Sequence, residues 1–250
     1  VIAAISPCDD YFDVLKLKFD GQTPDYPQII PNGTLFGGAY GDFIKFFTDN
    51  GYILNKDLFL FPYDWRKDIV LIASLLDQKI NDVKTQTGNT RVDIVAHSMG
   101  GLVARNYISD SSKAQNVRKL FTLGTPHLGA VDFLKNLRFG GCLTKTGFLT
   151  DLAKYIICLG VAPAEVKDIL QNMISGYELA PSQEYFNFYN GQDKSHPFPY
   201  QYNGQPFNYD QIKSFLTSLS HNTLLFNPSE LFHILDNSLA NTNGVDVTVI

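Results

Sequence analysis

The stretch RVDIVAHSMGGLVARNYI, residues 91–108, limits what this chain can fold into more than any other segment. An apolar run over 91–96 reads as a strand, and Met99–Ile108 reads as a helix. Ser98 stands at the junction, with Ala96 and Gly100 two residues to either side and Gly101 beyond. A serine hydroxyl is a poor nucleophile and needs exposure, a base and a pocket for the developing anion. A sharp strand-to-helix turn supplies the exposure and demands small neighbours two residues away. The helix N-terminus supplies free N–H groups and positive partial charge. Ser98 is therefore the candidate nucleophile, and the Met99 backbone N–H is the candidate oxyanion donor. The Ala96-x-Ser98-x-Gly100 string departs from the usual G-x-S-x-G pattern by one methyl group.

The surrounding chain supplies a context for that turn. Residues 1–36 are rich in turn formers and show no periodic element of length. GAYGDFIKFFTDNGY reads as a short helix stopped by Gly51, with Phe43, Phe46 and Phe47 on one face. DLFLFP, residues 57–62, reads as a buried strand. Ile69, Ile72, Ala73, Leu76, Ile80 and Val83 recur at helical spacing. VRKLFTL, residues 117–123, is a further strand ended by Gly124. Strands alternating with helices, over connections too long for hairpins, imply an α/β fold with a central, mostly parallel sheet flanked by helices. Ligands bind at the C-terminal strand edge of such sheets.

From 128 to 225 the alternation breaks, and the segment reads as a mostly helical cap insertion. The expected division is therefore core over 1–127, cap over 128–225 and a return to the core over 226–250. NPSELFHILDNSLA is expected to be a helix with Ser229 at its N-cap, leading into a strand at GVDVTVI.

Composition excludes some classes. With 20 Lys+Arg against 25 Asp+Glu and no basic run, nucleic acid is not an expected partner. No apolar run reaches the roughly 20 residues of a membrane-spanning helix. Cys8, Cys142 and Cys158 have no metal-ligand spacing, and a Cys142–Cys158 bridge competes with buried thiols. Neither a metal nor an organic cofactor is implied.

VDIVAHSMGGLVARNYI followed by LFTLGTPHLGA resembles lipases and esterases of the α/β-hydrolase fold. The run Tyr63-Asp64-Trp65-Arg66 narrows this to a resemblance to the lecithin:cholesterol acyltransferase family, which includes lysosomal phospholipase A2 and its bacterial-type relatives. The matching motifs cover about 50–130, with a weaker match at 228–250. The resemblance implies a serine acyl hydrolase or acyltransferase acting on lipid or acyl esters through an acyl-enzyme, at a membrane surface or in a secreted setting. It also implies that Tyr63, Asp64 and Trp65 border the acyl pocket and that His127 faces the site. Structural roles for Trp65, Arg66 and His127 compete with that reading. An inositol deacylase and a general carboxylesterase share the same motifs. A non-catalytic lipid-binding protein on the same fold is the alternative of another class.

The fold's chain order is Ser, then Asp or Glu, then His. Asp246 is expected in mid-strand, and His233 and Asp236 as a pair on a helix surface. His196 and His221 follow no core strand, and Asp132 lacks a matching His. The acid and base are therefore expected beyond Ile250 and the first oxyanion donor before Val1, making this chain an internal fragment without activity of its own.

Overall fold

The computed structural model describes residues 13–26, 37–140, 163–188, 201–202, 205–218, 221–238 and 240–250. Cys8, Cys142, Cys158 and His196, and with them the question of a Cys142–Cys158 bridge, lie outside the described residues. The chain divides into two compact units, one of residues 30–127 and 234–250, the other of residues 1–29 and 128–233.

The first unit is built on parallel strands. Helix α1, Gly37–Asp49, carries its aromatic rings edge to face, with Phe43 and Phe47 centroids 5.2 Å apart. It ends at Gly51, whose φ of +92° suits glycine, and the Gly51 N–H donates back to the Thr48 carbonyl at 3.1 Å. Helix α2, Ile69–Thr87, begins where the Asp68 carboxylate accepts from the N–H groups of Val70 and Leu71, and stops at left-handed Gly88. The periodic residues Ile69, Ile72, Ala73, Leu76 and Ile80 are its buried face.

Strand β1, Val92–His97, leads into helix α3, Met99–Ser109, and β2 follows at Val117–Leu123. Strand β3, Asp246–Val249, completes a three-stranded parallel sheet of order β1-β2-β3. The central strand β2 buries Val117, Leu120 and Thr122. Helix α3 packs on α2 and on the sheet, burying Leu102, Val103, Tyr107 and Ile108. Each such side chain contributes about 1.5–3 kcal/mol of hydrophobic stabilisation.

Three expectations change here. Residues 57–62 form no strand ladder, and the nearest pairing is an isolated bridge between Leu54 and Leu58. Apolar residues signal burial, whereas a strand exists only through its hydrogen-bonded neighbour, and Pro62 withholds one donor. Asp246 opens β3 instead of lying within it, exposed and 3.5 Å from Lys119. Asp236 is not on a helix surface: its carboxylate is fully enclosed and pairs with Arg105.

The second unit is mostly helical. Helices α4 (Val131–Phe139), α5 (Pro163–Leu170), α6 (Ile174–Leu179), α7 (Tyr209–Ser218) and α8 (Phe226–His233) carry its described core. The Tyr177 ring is edge-on to both Phe133 and Phe226. Gly176 lets Phe133 approach, since a Cβ there would sit 2.1 Å from its ring. Ser229 is no N-cap: it lies inside α8, buried, and donates to the Tyr177 carbonyl at 2.7 Å. Asn222 ties this unit's 13–26 segment to its helices, donating to Phe19 O at 2.7 Å and Asn172 Oδ1 at 2.9 Å.

Candidate active site

Strand β1 ends at His97 and α3 begins at Met99, so the whole change of direction falls on Ser98. Its backbone has φ +59° and ψ −132°, outside the regions that L-residues occupy without strain. Among the described residues only Asn55 and Asn243 share a positive φ without being glycine. Such a conformation costs about 1–3 kcal/mol and persists only where neighbours over-determine it.

Those neighbours are identifiable. The Ser98 N–H donates to the Leu123 carbonyl at 3.0 Å, extending the β1–β2 ladder by one bond into the turn. The Ser98 carbonyl accepts twice, from the Gly101 N–H at 2.9 Å and from the Thr125 hydroxyl at 3.0 Å. The side chain is left out of this clamp. Ser98 makes no capping bond to α3 and is half-exposed, so its hydroxyl is held on an accessible turn. The Met99 N–H is one of the first-turn donors that an α-helix cannot satisfy internally.

The need for small residues falls differently from the motif's expectation. A Cβ on Gly100 would meet the Tyr63 hydroxyl at 3.6 Å and the Ala96 Cβ at 3.8 Å, which are ordinary contacts. A Cβ on Gly101 would lie 1.9 Å from the Thr125 hydroxyl oxygen, where no atom fits. Gly101 is therefore the position that admits no side chain.

Aromatic hydroxyls surround the turn. The Tyr40 hydroxyl and His97 Nδ1 share a hydrogen bond of 3.0 Å, with their rings edge to face. Burial lowers the His97 imidazole below its ordinary value, favouring the neutral ring. Burial also pushes the Tyr63 phenol well above its ordinary value, with Tyr40 adding to the effect. Tyr63 therefore stays a neutral hydroxyl next to Gly100.

Within the rest of the 63–66 run, Asp64 and Arg66 form a clamp. Arg66 is buried and grips Asp64 through Nε at 2.8 Å and Nη2 at 2.6 Å. Trp65 between them is half-buried. His127 Nε2 is 3.4 Å from the Thr122 hydroxyl, while Nδ1 is enclosed and has no hydrogen-bond partner among the described residues. Burial, and then the Arg105 charge, hold its imidazole below the ordinary value, against an opposing pull from Asp236.

The structure thus brings Ser98, Met99 and Tyr63 to one turn and joins neither Trp65 nor His127 to Ser98 by a hydrogen bond. Among the described residues no imidazole hydrogen-bonds the Ser98 hydroxyl. Asp132 lies in the first turn of α4, in the other unit, where burial raises its carboxyl above the ordinary range. His221, in that unit too, is lowered by burial. Sequence reasoning passed over Tyr40, Thr125 and Arg105, and assigned Asp236 to a helix-surface pair with His233. The doubled glycine after Ser98 was the available sign that something approaches closely there. Among the described residues no helix is long and apolar enough to cross a membrane.

Comparison with known proteins now adds to this geometry. The family profile described as lecithin:cholesterol acyltransferase matches residues 31–162, more than half of the chain. Phospholipase A(1) LCAT3 of Arabidopsis thaliana is 32% identical over 95 residues, which are 36% of this chain and 21% of that protein. Uncharacterized protein YJR098C of Saccharomyces cerevisiae is 32% identical over 87 residues, 34% of this chain and 13% of that protein. The alignments therefore span only a minor part of either relative. Among solved structures, a chain of the Tle4–Tli4 complex is similar with a TM-score of 0.40 and 20% identity, covering 72% of this chain and 40% of that one.

Proposed function

The chain belongs to the lecithin:cholesterol acyltransferase family, and we propose from that premise that it carries the nucleophile of a lipid acyl hydrolase or acyltransferase. The one observation that supports this best is the Ser98 backbone, strained at φ +59° and ψ −132° between a parallel strand and a helix N-terminus. A strained conformation on a half-exposed serine whose side chain makes no capping bond to its own helix is what a nucleophile on a sharp strand-to-helix turn requires.

In this reading the parallel-sheet unit is part of an α/β-hydrolase core, and residues 128–225 are a cap insertion. Ser98 Oγ attacks the ester carbonyl carbon of a lipid as a general base takes its proton. The carbonyl oxygen becomes an oxyanion that accepts from the Met99 N–H, aided by the positive end of α3. Collapse breaks the bond to the alcohol, which leaves with a proton, and the acyl group stays on Ser98. Water or an acceptor alcohol then takes the acyl group. The loop of Tyr63, Asp64 and Trp65, together with His127, borders the acyl pocket. The general base is not assigned to any described histidine. The substrate is a lipid or acyl ester, in keeping with the plant relative's name, a phospholipase A(1), and in this reading it is met at a membrane surface.

The test uses the whole protein that carries this chain. A fluorophosphonate probe should label Ser98, and Ser98→Ala should abolish both labelling and turnover of a phospholipid in mixed micelles. Retained turnover in Ser98→Ala overturns the nucleophile. A wild-type protein that binds lipid vesicles without labelling supports the binding-protein alternative instead.

A further inference from the structure

We propose that Thr125 is a positioning residue for catalysis, aligning and polarising the peptide group that serves as oxyanion donor. The inference rests on the reading of Ser98 as the nucleophile and deepens it. The Thr125 hydroxyl donates to the Ser98 carbonyl at 3.0 Å. That carbonyl belongs to the same peptide group as the Met99 N–H, and in a planar trans peptide the two bonds point in opposite directions. Fixing where the C=O points therefore fixes where the N–H points. Thr125 acts on the back of the group whose front would meet the oxyanion.

The second consequence is electronic. The Ser98 carbonyl accepts from both Thr125 and the Gly101 N–H, at 3.0 Å and 2.9 Å. An amide whose oxygen accepts hydrogen bonds becomes a stronger donor at its nitrogen, because chains of such bonds polarise one another. A donor held in place before the reaction needs no reorganisation as charge develops, and such donors account for large rate effects.

The sequence makes room for this arrangement. Gly101 presents no side chain where the Thr125 hydroxyl sits, and a Cβ would approach that oxygen to 1.9 Å. Thr125 is reached from β2, whose last residue Leu123 accepts from the Ser98 N–H at 3.0 Å. The peptide groups on both sides of Ser98 are thus held by residues two apart at one strand exit.

The experiment compares Thr125→Val, Thr125→Ser and Ser98→Ala in the whole protein, using a soluble aryl ester. Thr125→Val keeps the shape and removes the donor. It should lower kcat about tenfold, which corresponds to about 1.4 kcal/mol of transition-state stabilisation, and leave KM within about twofold. Affinity for an alkyl trifluoromethyl ketone, which forms an anionic adduct on serine, should fall by a similar factor. Affinity for the matching uncharged alcohol should not change, and Thr125→Ser should restore both quantities. If Thr125→Val does not fold, Thr125→Ala is read in the same way. A kcat within twofold of wild type, a loss confined to KM, or equal weakening of both inhibitors overturns the proposal. An inactive Ser98→Ala beside an unimpaired Thr125→Val refutes this role alone. An active Ser98→Ala refutes the nucleophile and this role with it.

Discussion

Arg105 Nη2 lies 2.8 Å from Asp236 Oδ1, with the carboxylate fully enclosed and the guanidinium nearly so. The same arginine donates through Nη1 to the His127 carbonyl at 2.8 Å. One buried cation therefore joins helix α3, the segment after β2 and the short 3-10 helix Ile234–Ser238. Asp236→Asn keeps the shape and leaves the arginine without its counter-charge. It should destabilise the fold by about 3–5 kcal/mol, the usual cost of breaking a buried pair. Urea denaturation measures this, and Arg105→Met combined with Asp236→Leu should recover part of the loss. A single-variant effect below about 1 kcal/mol would mean that water reaches the pair.

His127 gives the fold an acid sensitivity with a definite sign. Burial and the Arg105 charge hold its folded-state value below the ordinary 6.5, so the unfolded chain binds the proton more readily. Stability from keeping the ring neutral is complete above the unfolded value and is lost as pH falls toward the folded one. The urea midpoint should therefore drop as pH is lowered below about 6.5. His127→Gln should make that drop shallower without removing it, because His97 and His221 are shifted the same way. An unchanged slope in His127→Gln would show that its ring does not contribute.

The two glycines after Ser98 should respond differently to the same added methyl group. Gly101→Ala must displace Thr125 and should lose about 1–3 kcal/mol of stability through overpacking. Gly100→Ala meets only ordinary contacts at 3.6 Å and 3.8 Å and should leave the thermal midpoint unchanged or raise it. Equal losses at both positions would contradict the geometry of the turn.

Asp64 neutralises a guanidinium that has almost no access to solvent. Asp64→Ala should therefore cost about 3 kcal/mol in stability, far more than a surface ion pair. Thermal unfolding of the variant checks this. A loss of a few tenths would mean that Arg66 is held by its other partners.

What could be read in the sequence followed local rules. The α2 stripe, the glycine at Gly51 closing α1, and the strand–serine–helix junction each depend on residues a few positions apart. Their periodicity and turn chemistry therefore appear directly. The features that were not legible depend on partners distant along the chain. Asp236 reads as one of a helix-surface pair with His233, yet the fold encloses it with Arg105, more than a hundred residues earlier. The steric limit moved from Gly100 to Gly101 because Thr125, on the next strand's exit, is what crowds the turn. Residues 57–62 carried a strand's composition but gained no ladder partner. Ser229 carried a cap's composition and instead bonds Tyr177, far away in sequence.

The exit of β2 is bonded on both sides. Leu123 accepts from Ser98, while Gly124 donates to Ile250 at 2.8 Å and Thr122 accepts from the Ile250 N–H at 2.8 Å. A turn on a free loop exchanges its amide protons through its own small fluctuations. This one is sewn into the sheet, so its amide becomes available to deuterium only when neighbouring strands part. Ser98 consequently keeps the sheet's clock and not a loop's.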